Sequence, residues 1–194
     1  MDVQAGTDLT VLEMLTAEHG RKLKDIAATS MKSHSSGMKY RPRIRDQILK
    51  EKSGVYITLK NGNETRGNSG FVYPSYELWN ATRMAAVNAA YMDARFKHVS
   101  KSEIDVLDIG ISVIGQVEKI KDKHLKDLSC LRIGIDGIMI IGSGTSAVML
   151  PQVALEMGLE PVEFLDAACE SAGLREKAWA DKVVSVYRFS TRIF

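Results

Sequence analysis

The segment from Gly54 to Ser75 constrains the fold more than any other part of the chain. It contains two apolar runs separated by Asn61-Gly62, and an Asn-Gly pair between such runs is a strong signal for a β-hairpin. The returning strand, Thr65 to Tyr73, is interrupted by the glycine-bracketed sequence RGNSG. Glycines in a strand allow a ligand or another backbone to come close. We therefore expect a hairpin that ends in a loop suited to binding, although RGNSG holds no general base, thiol or metal ligand.

A second hairpin is predicted later in the chain. Its turn is placed at Asp136-Gly137, between the runs 131–135 and 138–141, and a glycine-bearing loop, 142–147, leads to a helix from Pro151 to Met157. Alternating apolar residues also predict strands over 107–117 and 183–193. These elements predict an α+β fold, with a mixed sheet built from two hairpin-containing halves and packed helices.

The domain organisation is predicted as a single domain, 1–194, with three parts. An amphipathic helix, capped by Thr7 or Asp8 and weakened at Gly20, occupies 1–32. A connector rich in lysine and arginine follows over 33–53, where Pro42 opposes a regular helix. The α+β body fills 54–194. Within it, the face of small residues between 76 and 93 suits close packing of a helix on a sheet.

Composition excludes several classes of protein. The formal net charge is only +2, so no global field draws the chain to nucleic acid or to a membrane. Cys130 and Cys169 lie far apart without a CxxC pair, which argues against a disulfide scaffold or zinc ribbon. No metal site and no cofactor are predicted, because the histidines are scattered without ligand spacing. A cytoplasmic protein is expected, since no signal peptide or membrane-spanning run is visible.

The candidate site residues come from the two glycine-bearing loops. In the first, the backbone of Gly67 and Gly70 with the side chains of Arg66, Asn68 and Ser69 can form an anion or carbonyl pocket. The alternative is a β-bulge with a close crossing, which shape alone favours. If the second loop faces the first, further residues line the same cleft. These are Ser143, Ser146 and Gln152.

Two other patterns have both a functional and a structural interpretation. The connector carries Arg41, Arg43 and Arg45 beside Tyr40, and together with the aromatic trio Tyr73, Tyr76 and Trp79 it can contact RNA through phosphate pairing and stacking. A solvated loop with ordinary core aromatic residues is the favoured alternative, given the near-neutral total charge. Asp93-Ala94-Arg95 after the central helix predicts a local ion pair.

Several separated segments resemble the AMMECR domain family, which is named after the chromosomal region of Alport syndrome, midface hypoplasia and elliptocytosis. The matching segments run in order over nearly the whole chain: RGNSGFVYPSYEL, NAAYMDARFKHVS, IDVLDIGISVIG, DGIMIIGSGTSAVMLPQVALEMG, CESAGLREKAW and VYRFSTRIF. The resemblance implies a divergent microbial member with two unequal subdomains and a cleft between them. It also implies Memo-like and radical-SAM proteins as partners, in a pathway that modifies RNA or another biomolecule.

Three positions depart from the family pattern. The hallmark LRGCIG stands here as TRGNSG, so Asn68 replaces the family cysteine and excludes thiol chemistry there. Gly110 stands where the resemblance leads us to expect glutamate, and Thr145 where it leads us to expect arginine. We interpret this as a retained fold with an altered cleft.

Three functional hypotheses follow. The first is a ligand- or partner-binding component of a modification pathway. The second is a stand-alone enzyme that uses the cleft. The third is an RNA-binding module. The oligomeric state is not predicted, because no heptads or long exposed apolar stripe are visible.

Overall fold

The computed structural model describes residues 10–121, 125 and 128–194, and in this part of the chain the α+β class is confirmed. Its helices are α1 (Val11–Met14), α2 (Ala17–Ser35), α3 (Leu78–Tyr91), α4 (Pro151–Met157) and α5 (Pro161–Ser171). Its strands are β1 (Gly54–Asn61), β2 (Glu64–Phe71), β3 (Asp108–Lys119), β4 (Asp136–Gly142), β5 (Thr145–Met149) and β6 (Ser185–Ile193). Short 3₁₀ turns lie at Ile48–Lys50, Glu103–Asp105 and Ala178–Ala180.

The strands follow the order β2-β1-β3-β6-β4-β5. The pairs β1–β2, β1–β3, β4–β5 and β4–β6 are antiparallel. The sheet, expected to be mixed, is therefore antiparallel in these pairs. Strand β2 lies at one edge.

The helix predicted near the N-terminus is divided in two. Leu15 has an extended backbone, and Thr16 starts α2 as its N-cap, with its hydroxyl accepting from the His19 N–H at 3.4 Å. The helix continues through Gly20, where the predicted weak point lay. The ring of Phe194 packs on this position, and an added Cβ would lie 2.2 Å from it. The predicted caps Thr7 and Asp8 lie outside the described residues.

The chain forms two compact units. The first extends to Gly115 and includes Arg192–Phe194. Its core lies between β1, whose Val55, Ile57 and Leu59 are fully buried, and helices α2 and α3. The predicted small-residue face of α3 is confirmed, because its alanines are buried against this core.

The second unit comprises residues 116–191. Its core joins Ile138 and Ile140 of β4 to Phe164, Leu165 and Ala168 of α5. The predictions of a single domain and of a cleft between two subdomains stay predictions.

The predicted turn of the second hairpin is wrong. Asp136 and Gly137 open β4, and the turn is Ser143-Gly144, where both residues have positive φ values of 52° and 79°. Asp136 is fixed by Arg132, whose backbone N–H and guanidinium both donate to its carboxylate. The sequence 142–147 thus contains the end of β4, a two-residue turn and the start of β5, and is not a loop before a helix.

Candidate functional site

The RGNSG sequence lies inside strand β2, so the loop predicted for Arg66–Gly70 is wrong. The β-bulge interpretation is confirmed. Leu59 pairs with Gly67 and Lys60 pairs with Thr65, which leaves Arg66 as the extra residue. Gly67 also permits a close helix crossing, because a Cβ there would lie 2.0 Å from the carbonyl oxygen of Ala89 in α3.

Asn68 lies on the side of the hairpin opposite the buried β1 residues. Side chains alternate along a strand, and Asn68 pairs with half-buried Thr58, whose neighbours in β1 are buried Ile57 and Leu59. Thr58 pairs in turn with Gly110 of β3. Two of the three positions that depart from the family pattern, Asn68 and Gly110, therefore belong to one cross-strand row.

Four residues meet at this edge of the sheet, and we call them the Asn68 cluster: Tyr56, Asn68, Asp93 and Arg95. Asp93 accepts the backbone N–H of Asn68 at 3.0 Å. Arg95 donates to the Asp93 carboxylate at 2.7 and 2.9 Å and to the side-chain carbonyl of Asn68 at 2.6 Å. The Tyr56 hydroxyl lies 3.5 Å from the same carbonyl oxygen. The local ion pair predicted from the sequence is confirmed, and it also contacts β2.

The charges of this cluster differ in their exposure. The Asp93 side chain is 7% exposed, whereas that of Arg95 is 63% exposed. Hydrogen bonds from the Arg95 guanidinium, followed by those from the Asn68 and Arg95 backbone N–H groups, lower the pKa of Asp93 to about 2 against desolvation. Burial raises the pKa of Tyr56. At neutral pH Asp93 is therefore a carboxylate and a weak base, and Tyr56 is protonated.

Arg66 is held by a different carboxylate. Its guanidinium contacts Glu103 at 2.5 Å, the two side chains are only 16% and 18% exposed, and a further bond reaches the carbonyl of Lys97. The hydrogen bond from Arg66 lowers the pKa of Glu103. Arg66 thus fixes the turn at Glu103–Asp105 to β2. Its predicted role as a ligand-binding cation stays a prediction.

The other predicted site residues belong to the second unit. Ser143 lies in the β4–β5 turn, exposed Ser146 pairs with Ile141, and Gln152 is the second residue of α4. The hydroxyl of Thr145 donates to the carbonyl of Gly142 at 2.9 Å and closes the turn. The structure brings Arg66–Gly70 together along one strand. The expectation that both sets line one cleft stays a prediction.

Sequence reasoning did not include Tyr56, Asp93 or Arg95 among the site residues. Asp93 lies 25 positions after Asn68, and nothing in the spacing indicates that the two meet. The available signal was the DARF segment, which is part of the family resemblance.

The described side chains form no metal-binding group, and one of the two cysteines is buried. Across 10–121, 125 and 128–194, no group of three or more His, Cys, Asp or Glu side chains could hold a metal ion. Cys169 is buried, and burial raises the pKa of its thiol. No helix in the same ranges is long and apolar enough to cross a bilayer.

The AMMECR1 family model matches residues 24–194, which is most of the chain. The chain belongs to the AMMECR1 family. An AMMECR1-family relative from Methanothermobacter thermautotrophicus is 34% identical over 184 residues, covering 93% of this chain and 95% of the relative. The protein MK0488 of Methanopyrus kandleri is 35% identical over 187 residues, covering 94% and 90%.

A solved structure supports the same assignment. The crystal structure of the uncharacterized protein PH0010 from Pyrococcus horikoshii superposes with a TM-score of 0.84 at 32% identity, covering 91% of this chain and 90% of that one. The AMMECR1 family and its fold are therefore confirmed for this chain.

Proposed function

We propose that this AMMECR1-family chain is a cytoplasmic binding component of a biomolecule-modification pathway, and that Asn68 and Arg95 recognise an acidic group on its ligand or partner. One observation carries the proposal. A nearly buried carboxylate, Asp93, fixes the Arg95 guanidinium against Asn68 while most of the Arg95 side chain remains exposed.

A guanidinium held in this way is suited to recognition. The bonds to Asp93 and Asn68 use Nε and Nη2 of Arg95, and Nη1 carries two further N–H donors. These two N–H groups diverge from one nitrogen, and each can donate a charge-assisted hydrogen bond to an oxygen of a carboxylate or phosphate. Because Asp93 has already fixed the side chain, a ligand does not have to offset the full entropy of ordering it.

The same geometry favours binding over the alternative of a stand-alone enzyme. A general base works best with a pKa near the working pH, and the pKa of Asp93 is held at about 2. Position 68 carries an amide where the family pattern has a thiol. The Asn68 cluster therefore offers hydrogen-bond donors and a fixed cation, but no group suited to accept a proton at neutral pH.

The cross-strand row that begins at Asn68 has open space at its other end, Gly110. A Cβ at Gly110 would meet only atoms of Thr58, at ordinary distances of 3.5 and 3.8 Å. A glutamate side chain, as in the family pattern, would place a carboxylate on this face. Its absence leaves the face without that negative charge, which favours an acidic ligand group near Arg95.

The test uses the partners that the family resemblance implies. The Memo-like and radical-SAM proteins of the same genome are titrated with the purified chain by calorimetry. We expect binding to at least one of them, weakened about tenfold or more in Asn68→Ala and in Arg95→Lys. Arg95→Lys keeps the charge and removes the fixed Nη1 donors.

Lys101→Ala serves as the control, because Lys101 is an exposed cation of the same unit, and circular dichroism verifies that each variant folds. Unchanged affinity of folded Arg95→Lys and Asn68→Ala contradicts the proposed recognition site. Failure of the wild-type chain to bind either protein contradicts the pathway assignment.

A further inference from the structure

The connector between α2 and β1 presents cations at every second residue. Lys39, Arg41, Arg43 and Arg45 are exposed, and we call these four residues the basic ridge. The residues between them point inward and are half-buried: Tyr40, Pro42, Ile44 and Asp46. Such alternation is typical of extended backbone, in which residues two apart are separated by about 6.6 Å. The ridge is therefore a row of evenly spaced positive charges about 20 Å long.

The ridge cations form no close ion pairs in the part of the chain that the structure describes. The carboxylate on the same segment, Asp46, is bound instead by Lys22 of α2 at 2.7 Å. The connector thus carries a local positive charge, although the chain as a whole is nearly neutral.

A groove of about 780 Å³ adjoins the ridge between α2, the connector and α3. Lys39 and Arg41 line it from the ridge, and Arg83 lines it from α3. Trp79 and Tyr40 add half-buried aromatic surface. The lining residues include no carboxylate. This groove therefore combines cations with aromatic rings.

The Arg83 side chain of α3 is held in place by a hydrogen bond. The side-chain oxygen of Asn80 accepts from Nε of Arg83 at 3.0 Å. Asn88 and Ser33 line the groove as well, and they supply amide and hydroxyl groups that can bond to a sugar hydroxyl. A second groove, of about 610 Å³, is lined by Arg41, Arg43 and Arg45 of the ridge, but Asp25 and Asp46 line it as well. Negative charge makes that groove the poorer site for an anion.

We propose that the basic ridge binds the phosphates of single-stranded RNA, and that bases enter the 780 Å³ groove to stack on Trp79. Evenly spaced cations suit a polymer that carries one charge per repeat, and aromatic rings with amide groups suit unpaired bases and ribose. The length of the ridge exceeds what a single nucleotide covers. This surface does not include the Asn68 cluster, so the inference goes beyond the proposed function and does not depend on it.

The experiment measures fluorescence anisotropy of a labelled single-stranded RNA of about 12 nucleotides. The ridge variant combines Arg41→Gln, Arg43→Gln and Arg45→Gln. Its matched control, Lys101→Gln with Lys119→Gln and Lys182→Gln, removes equal charge from three other exposed cations. We expect the ridge variant to bind on the order of tenfold or more weakly, with the logarithmic salt dependence reduced by about 2, and the control to bind nearly as the wild type.

Stacking is tested separately with tryptophan fluorescence. The chain has two tryptophans, so Trp179→Phe leaves Trp79 as the reporter. We expect RNA to quench this emission, and we expect a single-stranded DNA of the same sequence to bind at least a few-fold more weakly.

Three results would overturn the inference. The first is equal loss of affinity in the ridge variant and its control, which means unspecific attraction. The second is binding without any change in Trp79 emission. The third is equal affinity for the DNA or for heparin.

Discussion

Arginine has opposite roles in two regions of the first unit. In the Asn68 cluster and beside it, Arg95 and Arg66 are each paired with a carboxylate of their own chain, Asp93 and Glu103. In the basic ridge, no described carboxylate lies within ion-pair distance of the arginines. Internal pairing fixes a side chain in one geometry, whereas an unpaired row of cations leaves its charge available to a partner.

The comparison separates two kinds of charged surface. A paired arginine contributes to local stability and acts on a ligand through its remaining donors. An unpaired, exposed arginine contributes little to folding and acts through its field. Variants in the two regions should therefore differ, with losses of stability in the Asn68 cluster and losses of charge alone in the basic ridge.

The largest expected effect comes from the backbone contact beneath the Asn68 cluster. Gly67→Ala places a Cβ 2.0 Å from the carbonyl oxygen of Ala89, and the strand or helix must shift, at a cost of about 3 kcal/mol. At the start of the connector, Gly37 has φ +68° and nothing within 4 Å of an added Cβ. Gly37→Ala therefore costs about 1 kcal/mol, from backbone conformation alone. Urea denaturation measures both values, and equal losses would contradict the comparison.

The next effect concerns the buried carboxylate and depends on pH. The pKa of Asp93 falls from an ordinary 3.8 to about 2 in the folded chain, so its contribution of about 2 kcal/mol is present above pH 4 and is lost as the pH falls toward 2. We expect Asp93→Asn to be about 2 kcal/mol less stable than the wild type at pH 7. The difference should shrink on acidification.

Denaturation curves at pH 7 and near pH 2 test this point. Arg43→Ala, from the basic ridge, serves as the control, and its difference from the wild type should not follow the titration of Asp93. A gap between Asp93→Asn and the wild type that stays constant with pH contradicts the assigned ion pair.

Local patterns predicted much of the fold. The first hairpin, the alanine face of α3 and the proline start of α4 depend on neighbouring residues, and the structure has each of them. The turn of that hairpin was predicted one residue too early, because Asn61 still pairs with Glu64 and the turn residues are Gly62 and Asn63. The second hairpin was misplaced because Asp136-Gly137 has the composition of a tight turn. Pairing with β6 and the Arg132 contacts draw these residues into β4 instead.

The site was predicted less completely than the fold. RGNSG was identified as a candidate site from its glycines. At Gly67, however, a glycine is needed because the backbone of α3 packs against this position. Arg66 was selected as the cation because it belongs to that segment, whereas the exposed guanidinium at Asn68 comes from Arg95. Contacts of this kind join positions far apart in sequence, so periodicity and turn chemistry carry no information about them.

The smallest effect compares one arginine from each region directly. Arg66→Ala leaves Glu103, 18% exposed, without its ionic partner, and we expect a loss of about 1 to 2 kcal/mol. Arg43→Ala removes an exposed cation from the ridge, and we expect a change within about 0.5 kcal/mol. The double variant Arg66→Ala with Glu103→Ala should not lose the sum of the two single losses, because the pair is removed as a unit. If Arg43→Ala destabilises the chain as much as Arg66→Ala does, Arg43 has a partner within the folded chain. That outcome would contradict the difference between the two regions.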